Sequence, residues 1–228
     1  MTFIRNATHW ILSLLFILLV LLTSIRLLLT PLFLEFEYNK PAFPVDTYGF
    51  STEDRLYYAR YAVDYLLNDE DINYLADLTF ENGDQLFIER ELSHMIDVKM
   101  LVQLMLNIWY AILLIVFIAI LFFILRNNSI KIYLFLQHGS ILTLGFIGII
   151  LISLGISFSA LFTGFHRIFF EGDTWIFLYS DSLIRLFPMK FWQDAFILIG
   201  VISILLSCAA LVISRIAIRK LSKKDPSL

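Results

Sequence analysis

Four long apolar blocks constrain this chain more than anything else in it. They cover residues 11–29, 100–125, about 141–165 and 196–213, and Arg26 is the lone charge among them. A helix needs about 20 apolar residues to cross the hydrocarbon of a bilayer. Each block has about that length. With 59% hydrophobic residues and a mean hydropathy of +0.80, the chain is also oilier than a soluble domain. The expectation is an all-α membrane protein with four transmembrane helices. The first block follows Arg5 as a signal peptide would. Its apolar run exceeds the ~7–15 residues of a signal core, and no small-x-small site closes it, so it reads as a retained anchor. The single cysteine, Cys208, excludes an internal disulfide and reads as a buried, inert thiol in the fourth block.

Charge outside the blocks sets a topology. Eight bases, at positions 5, 126, 131, 215, 219, 220, 223 and 224, flank them with one acid, Asp225. Basic flanks stay in the cytoplasm, which places both termini and the link between the second and third blocks inside. Segments 30–99 and 166–195 then face outward, and they hold fifteen and four of the twenty acids. The expected order is helix 1–30, extracellular cap 31–99, helix 100–126, cytoplasmic link 127–137, helix 138–165, second extracellular segment 166–195, helix 196–214 and tail 215–228. A bacterial cell membrane, crossed several times, fits an acidic and cysteine-free outer face. No basic footprint for nucleic acid is present.

Segment 30–99 is too long for a plain loop. Ser51 and Asp54 resemble a capping box, and Leu56, Ala59, Tyr61, Ala62 and Tyr65 follow at helical spacing. Alternation on both sides of Asn82–Gly83 predicts a hairpin with a type I′ turn. The cap is therefore expected to be α+β, one helix plus a β-hairpin. The second outer segment interleaves eight aromatic residues with acids and arginines, the makings of a polar site with aromatic walls. Gly139, Gly145, Gly148 and Gly155 permit close helix packing.

Chemistry concentrates at the outer mouth of the second block. At ~1.5 Å per residue, His94 lies roughly 9 Å outside Met100, at headgroup depth. His166 directly follows the third block and reaches the same level. Asp97, three residues after His94, shares its helix face and is placed to orient the imidazole. His9 and His138 lie near the inner ends and read as interfacial residues. A histidine at a membrane mouth is commonly only an interface residue, and the two outer histidines with Asp97, Glu91 or Glu171 would also suit a metal. No metalloprotease, nucleophile-elbow, Walker or dinucleotide motif appears. Imidazole, carboxylate and phenol suit proton transfer, with the nucleophile brought by the substrate. Arg26, near the outer end of the first helix, reads as snorkelling to the headgroups or as binding an anionic or carbonyl-bearing lipid group.

Three segments carry a resemblance: YNKPAFPVDTYGFSTEDR (38–55), ELSHMIDVK (91–99) and GFHRIFFEGDTWIFLYSDSLIRLFP (164–188). Together with the four-helix layout they resemble the lipoprotein intramolecular transacylases of Firmicutes. The resemblance implies four transmembrane helices under an extracellular cap and a diacylglyceryl-modified lipoprotein as substrate. It implies transfer of the sn-2 acyl chain to the α-amine of the N-terminal cysteine, giving the lyso form. It implies no cofactor or metal, and catalytic roles for His94 and His166. His94, backed by Asp97, is the favoured base. Tyr38, Tyr48, Arg55, Trp175 and Phe177, with Arg26, are the candidates for substrate binding. The rival expectations are a metal-dependent membrane hydrolase using the same histidines and a non-enzymatic scaffold whose cap binds a partner.

Overall fold

The computed structural model describes residues 2–224; Met1 and the end of the expected tail, 225–228, lie outside the described residues. Helices follow in the order α1 (Thr2–Leu28), α2 (Pro31–Tyr38), α3 (Thr52–Leu67), α4 (Asn73–Ala76), α5 (Glu89–Leu125), α6 (Ile130–Ile156), α7 (Phe158–Phe169), α8 (Ser182–Leu186) and α9 (Met189–Lys224). Four of them contain stretches long and apolar enough to cross a membrane: Ala7–Leu28, Glu89–Leu125, Ile130–Ile156 and Met189–Lys223. The chain divides into two compact units, one of residues 1–25, 106–153 and 198–228, the other of 26–105 and 154–197.

The described residues of the first unit are helical except for the turn at 126–129. Leu12, Ile112, Val116, Phe123, Ile132 and Phe135 form a buried cluster. Several small polar groups are buried in this unit: Ser24 pairs with Ser203 at 2.9 Å and Trp109 Nε1 donates to Thr23 at 3.0 Å, while the Ser207 hydroxyl has no partner among the described residues. Of the glycines expected to permit close packing, only Gly139 does so, since a Cβ there would lie 2.8 Å from Phe16. Gly145, Gly148 and Gly155 have nothing within 4 Å of that position. Cys208, expected to be buried, is exposed on α9.

The links between the long helices are shorter than hydropathy suggests. Asn127, in the left-handed region at φ 51°, ends α5. The N–H of Asn128 reaches the Phe123 carbonyl at 2.9 Å and that of Asn127 reaches Ile124 at 3.0 Å, the paired bonds of a Schellman motif. The expected link of eleven residues thus shrinks to a tight turn. The third block is not one helix. Ser157, in extended conformation, interrupts it and accepts from the Ala160 N–H, capping α7. A hydroxyl that can bond its own backbone competes with helix continuation, and a hydropathy count does not register this. The expected tail is helical as far as Lys224.

In the second unit, Ser51 caps α3 with both bonds of a capping box to Asp54. The expected β-hairpin does not form. Thr79 and Gln85 make one isolated antiparallel bridge, and no strand occurs among the described residues. Only Gly83 of the turn has positive φ, at 87°; the Phe80 N–H bonds Asp84 at 2.8 Å and the Gly83 N–H bonds Phe80 at 3.0 Å. That is a type I turn followed by a left-handed glycine, not a type I′ turn. Leu86 and Phe87 are buried in succession, whereas a strand sends neighbouring side chains to opposite faces, and the ladder does not extend beyond the bridge. The α+β expectation for this region gives way to an all-helical one. Its core comprises Leu75, Leu86, Phe87, Met95, Leu183, Leu186 and their neighbours.

Candidate active site

His94 lies in the second turn of α5 and His166 near the end of α7. Both belong to the second unit. Their ring centroids are 6.2 Å apart and the planes differ by 22°. Aromatic side chains enclose the pair. Phe170 is 5.0 Å from His94 and 5.5 Å from His166, and Phe177 is 5.4 Å from His94. Trp175 is 4.9 Å and Phe162 4.2 Å from His166. The break at Ser157 makes this enclosure, because α7 carries Phe162, His166 and, at its C-cap, Phe170 as a separate short helix.

The two rings differ in their bonding. His166 Nδ1 lies 2.8 Å from the carbonyl oxygen of Phe162. A carbonyl only accepts, so Nδ1 is the donor, and the neutral ring keeps its Nε2 lone pair. Burial lowers the pKa of His166 from the usual 6.5, against a smaller opposing effect of the Phe162 bond. The ring is therefore neutral at pH 7, with Nε2 basic. His94 is 7% exposed, and its Nδ1 is buried without a hydrogen-bond partner among the described residues. Asp97 does not supply one: the two side chains share no hydrogen bond, and Asp97 is only half-buried. Three residues of spacing brings side chains near each other, but His94 turns into the aromatic enclosure and the short carboxylate does not follow it.

The carboxylate that matters structurally on this helix is Glu91, 1% exposed. Its oxygens accept from the Leu183 N–H at 2.6 Å and from the Ile88 N–H at 2.9 Å, which ties α8 to the start of α5. Arg90 beside it bonds Asp181 at 2.6 Å and lies over the ring of Phe177 at 5.7 Å. Asp181 also accepts from the Leu178 N–H at 2.8 Å. The loop carrying Phe177 is thus clamped to α5 where His94 projects. Sequence reasoning missed Arg90, Asp181, Phe162 and Phe170 as site residues. The aromatic density of 162–177 was the available signal; the Arg90–Asp181 pair had none.

The other candidates separate into two groups. Trp175 and Phe177 line the histidines. Tyr38, Tyr48 and Arg55 gather elsewhere in the same unit. The Tyr38 hydroxyl donates to the Leu186 carbonyl at 2.6 Å. Each guanidinium nitrogen of Arg55 donates to a backbone carbonyl, Arg185 at 2.9 and 3.1 Å and Pro44 at 2.6 Å. Tyr38 holds the end of α2 against α8, and Arg55 braces the 39–50 loop against α8. Tyr48 is 53% exposed and, with Arg55, borders a groove of about 340 Å³. Arg26 donates to the Leu29 carbonyl at 3.1 Å, closing the end of its own helix. Among the described residues no three of His, Cys, Asp and Glu are grouped to hold a metal ion. Glu91, considered as a ligand, is occupied by backbone N–H groups, and Glu171 is exposed.

A family model described as lipoprotein intramolecular transacylase Lit matches residues 10–192. An uncharacterized protein of Aquifex aeolicus (strain VF5) is 32% identical over 182 residues, which is 80% of this chain and 81% of that protein. The solved structure of the membrane integral Lit from Bacillus cereus aligns over 100% of both chains with a TM-score of 0.79 at 20% identity. A histidine-to-arginine variant of that protein aligns over 98% of both chains, with a TM-score of 0.68 at 20% identity. At this identity the structures bear on the fold.

Proposed function

Because the chain belongs to the lipoprotein intramolecular transacylase family, and so is a multi-pass membrane acyltransferase acting on lipoproteins, we propose that His94 and His166 carry its acyl transfer. The substrate is a diacylglyceryl lipoprotein, and its sn-2 acyl chain passes to the α-amine of its own N-terminal cysteine. The observation that carries this reading is the pair of imidazoles 6.2 Å apart inside an aromatic enclosure. The substrate brings both ester and amine, so no protein nucleophile is required. Holding the two reactants together is worth roughly 7–11 kcal/mol in favourable cases.

His166 is the base in this reading, in place of His94. Its Nε2 takes the proton that the amine sheds as nitrogen bonds to the carbonyl carbon. The imidazolium then returns that proton to the glyceryl oxygen as the ester C–O bond breaks. The cycle needs no net proton. His94 turns an N–H toward the carbonyl oxygen and stabilises the charge that develops there. Phe162, Phe170, Trp175 and Phe177 exclude water, which would otherwise hydrolyse the ester. The cap and site face outward and both termini lie in the cytoplasm of a bacterial cell, a topology supported by the basic flanks of the spans.

Mass spectrometry of a reporter lipoprotein's N-terminal peptide tests the assignment. His94→Ala and His166→Ala should each insert into the membrane and leave the diacylglyceryl form, with losses of about 10²–10⁴-fold or more. Conversion at the parental rate in either variant would remove that histidine from the reaction.

A further inference from the structure

A second histidine pair lies far from the first in sequence, and the proposed reaction does not use it. His9 on α1 and His138 on α6 are joined by a hydrogen bond of 2.8 Å between Nε2 and Nδ1. The Trp10 ring stacks on His138 at 5.5 Å with the planes 23° apart. His9 forms part of the wall of a cavity of about 170 Å³ in the first unit. Its polar side comprises Thr8, His9 and Lys131, and its apolar side includes Leu12, Phe123 and Phe135.

The charge balance of this unit is one-sided. Its described residues contain no aspartate or glutamate. Lys131 Nζ lies 5.6 Å from the Phe123 ring and the Arg126 guanidinium 5.6 Å from the Phe122 ring. Neither makes an ion pair with a described residue. Lys131 also stands in the first turn of α6, which has no acidic residue to offset the positive end of the helix dipole. A half-buried ammonium beside a cavity, with helix dipole and neighbouring arginine of the same sign, attracts an anion. The volume suits a phosphate group.

We propose that this cavity binds the phosphate of an anionic membrane lipid. Lys131 supplies the charge, and the His138 bond holds the His9 ring at the wall as a hydrogen-bonding partner. A lipid is favoured over a free anion by the other wall, where Phe122, 53% exposed, offers apolar surface to a glycerol backbone and the tops of acyl chains. Trp10, 51% exposed, is the kind of side chain that settles at headgroup depth.

Native mass spectrometry of the delipidated full-length chain tests this, with dioleoyl phosphatidylglycerol and dioleoyl phosphatidylcholine as probes. The wild type should retain phosphatidylglycerol about tenfold more strongly, as a small cluster of basic groups near a membrane surface implies. Lys131→Gln should lower that preference about fivefold, and His9→Leu should lower retention of phosphatidylglycerol about threefold through the loss of one hydrogen bond. Arg219→Gln, an exposed base on α9 outside the cavity, should keep it. Thermal melts check folding: phosphatidylglycerol should raise the Tm of the wild type and not that of the Lys131 variant. Equal retention of the two lipids, or wild-type preference in Lys131→Gln, overturns the proposal. Displacement of phosphatidylglycerol by millimolar inorganic phosphate, with no dependence on the lipid chains, assigns the cavity to free phosphate and overturns the lipid assignment.

Discussion

In the proposed reaction the tautomer of His166 rests on one hydrogen bond. The Phe162 carbonyl accepts a hydrogen bond from Nδ1–H, which leaves the lone pair on Nε2, and burial favours the neutral ring. A base that works in its neutral form loses activity as pH falls through its folded pKa, which lies below 6.5 here. The acid limb of kcat/KM should therefore lie below pH 6.5; a limb well above that value would contradict a neutral His166 base. His166→Asn keeps a donor near the Phe162 carbonyl but has no lone pair at the Nε2 position, so it should fold and not turn over. Asp97→Asn is the contrasting change. Since Asp97 makes no bond to His94, it should alter kcat by less than about threefold, within the range of surface substitutions. Arg90→Ala tests positioning. The pair with Asp181 is partly solvated and worth about 0–1 kcal/mol in stability. Its loss frees the loop that holds Phe177, and misplacement on that scale lowers kcat about tenfold or more. Arg90→Lys should recover part of the rate, and the melting temperature should barely change in either variant.

Among the elements, the 39–50 loop and α8 depend on a buried ion pair. Asp46 bonds Arg185 at 3.0 Å, with both side chains at or below 9% exposure. Arg185 also lies over the Phe50 ring at 3.8 Å. Burial pushes the Asp46 carboxyl up, but the Arg185 guanidinium and the Phe50 N–H together outweigh it and hold the carboxyl below its usual range. A carboxylate with a lowered folded pKa adds stability above its unfolded value of 3.8 and loses it as pH falls through the folded one. Asp46→Asn should cost about 3 kcal/mol at neutral pH, because it leaves a buried guanidinium unpaired. It should also remove that part of the acid-induced loss, as read by chemical denaturation in detergent at several pH values. Helix packing gives a second test. Gly139→Ala places a methyl 2.8 Å from Phe16 and should cost about 1–3 kcal/mol, whereas Gly145→Ala meets nothing. This contrast could not be read from the sequence around the glycines; only the Phe16 neighbour distinguishes Gly139.

Across the whole molecule, the charge pattern makes a prediction about sidedness. In a Cys208→Ser background, a cysteine at Glu81 should react in intact cells with a membrane-impermeant maleimide. One at Ser222 should react only after the membrane is opened. The reverse pattern would invert the proposed topology. The lipid-facing extent of the long helices is also visible at this scale. Leu18, Phe117, Ile149 and Leu205 are exposed although each lies inside an apolar span, as expected where hydrocarbon rather than protein is the neighbour.

Hydropathy and charge are sums over neighbouring residues, so they survive without a fold. For that reason the sequence alone determined the four spans, the capping box at Ser51, and His94 and His166 as candidates. Which residue a side chain meets depends on contacts across many tens of positions. Only the tertiary structure decided that Phe162 orients His166, that Asp97 stays off His94, and that Arg55 and Tyr38 spend their donors on backbone carbonyls. It also decided that Ser157 ends the third span. The hairpin pattern around Asn82–Gly83 came down to one isolated bridge, because Leu86 and Phe87 are both drawn into the core that Leu78 and Phe80 pack against.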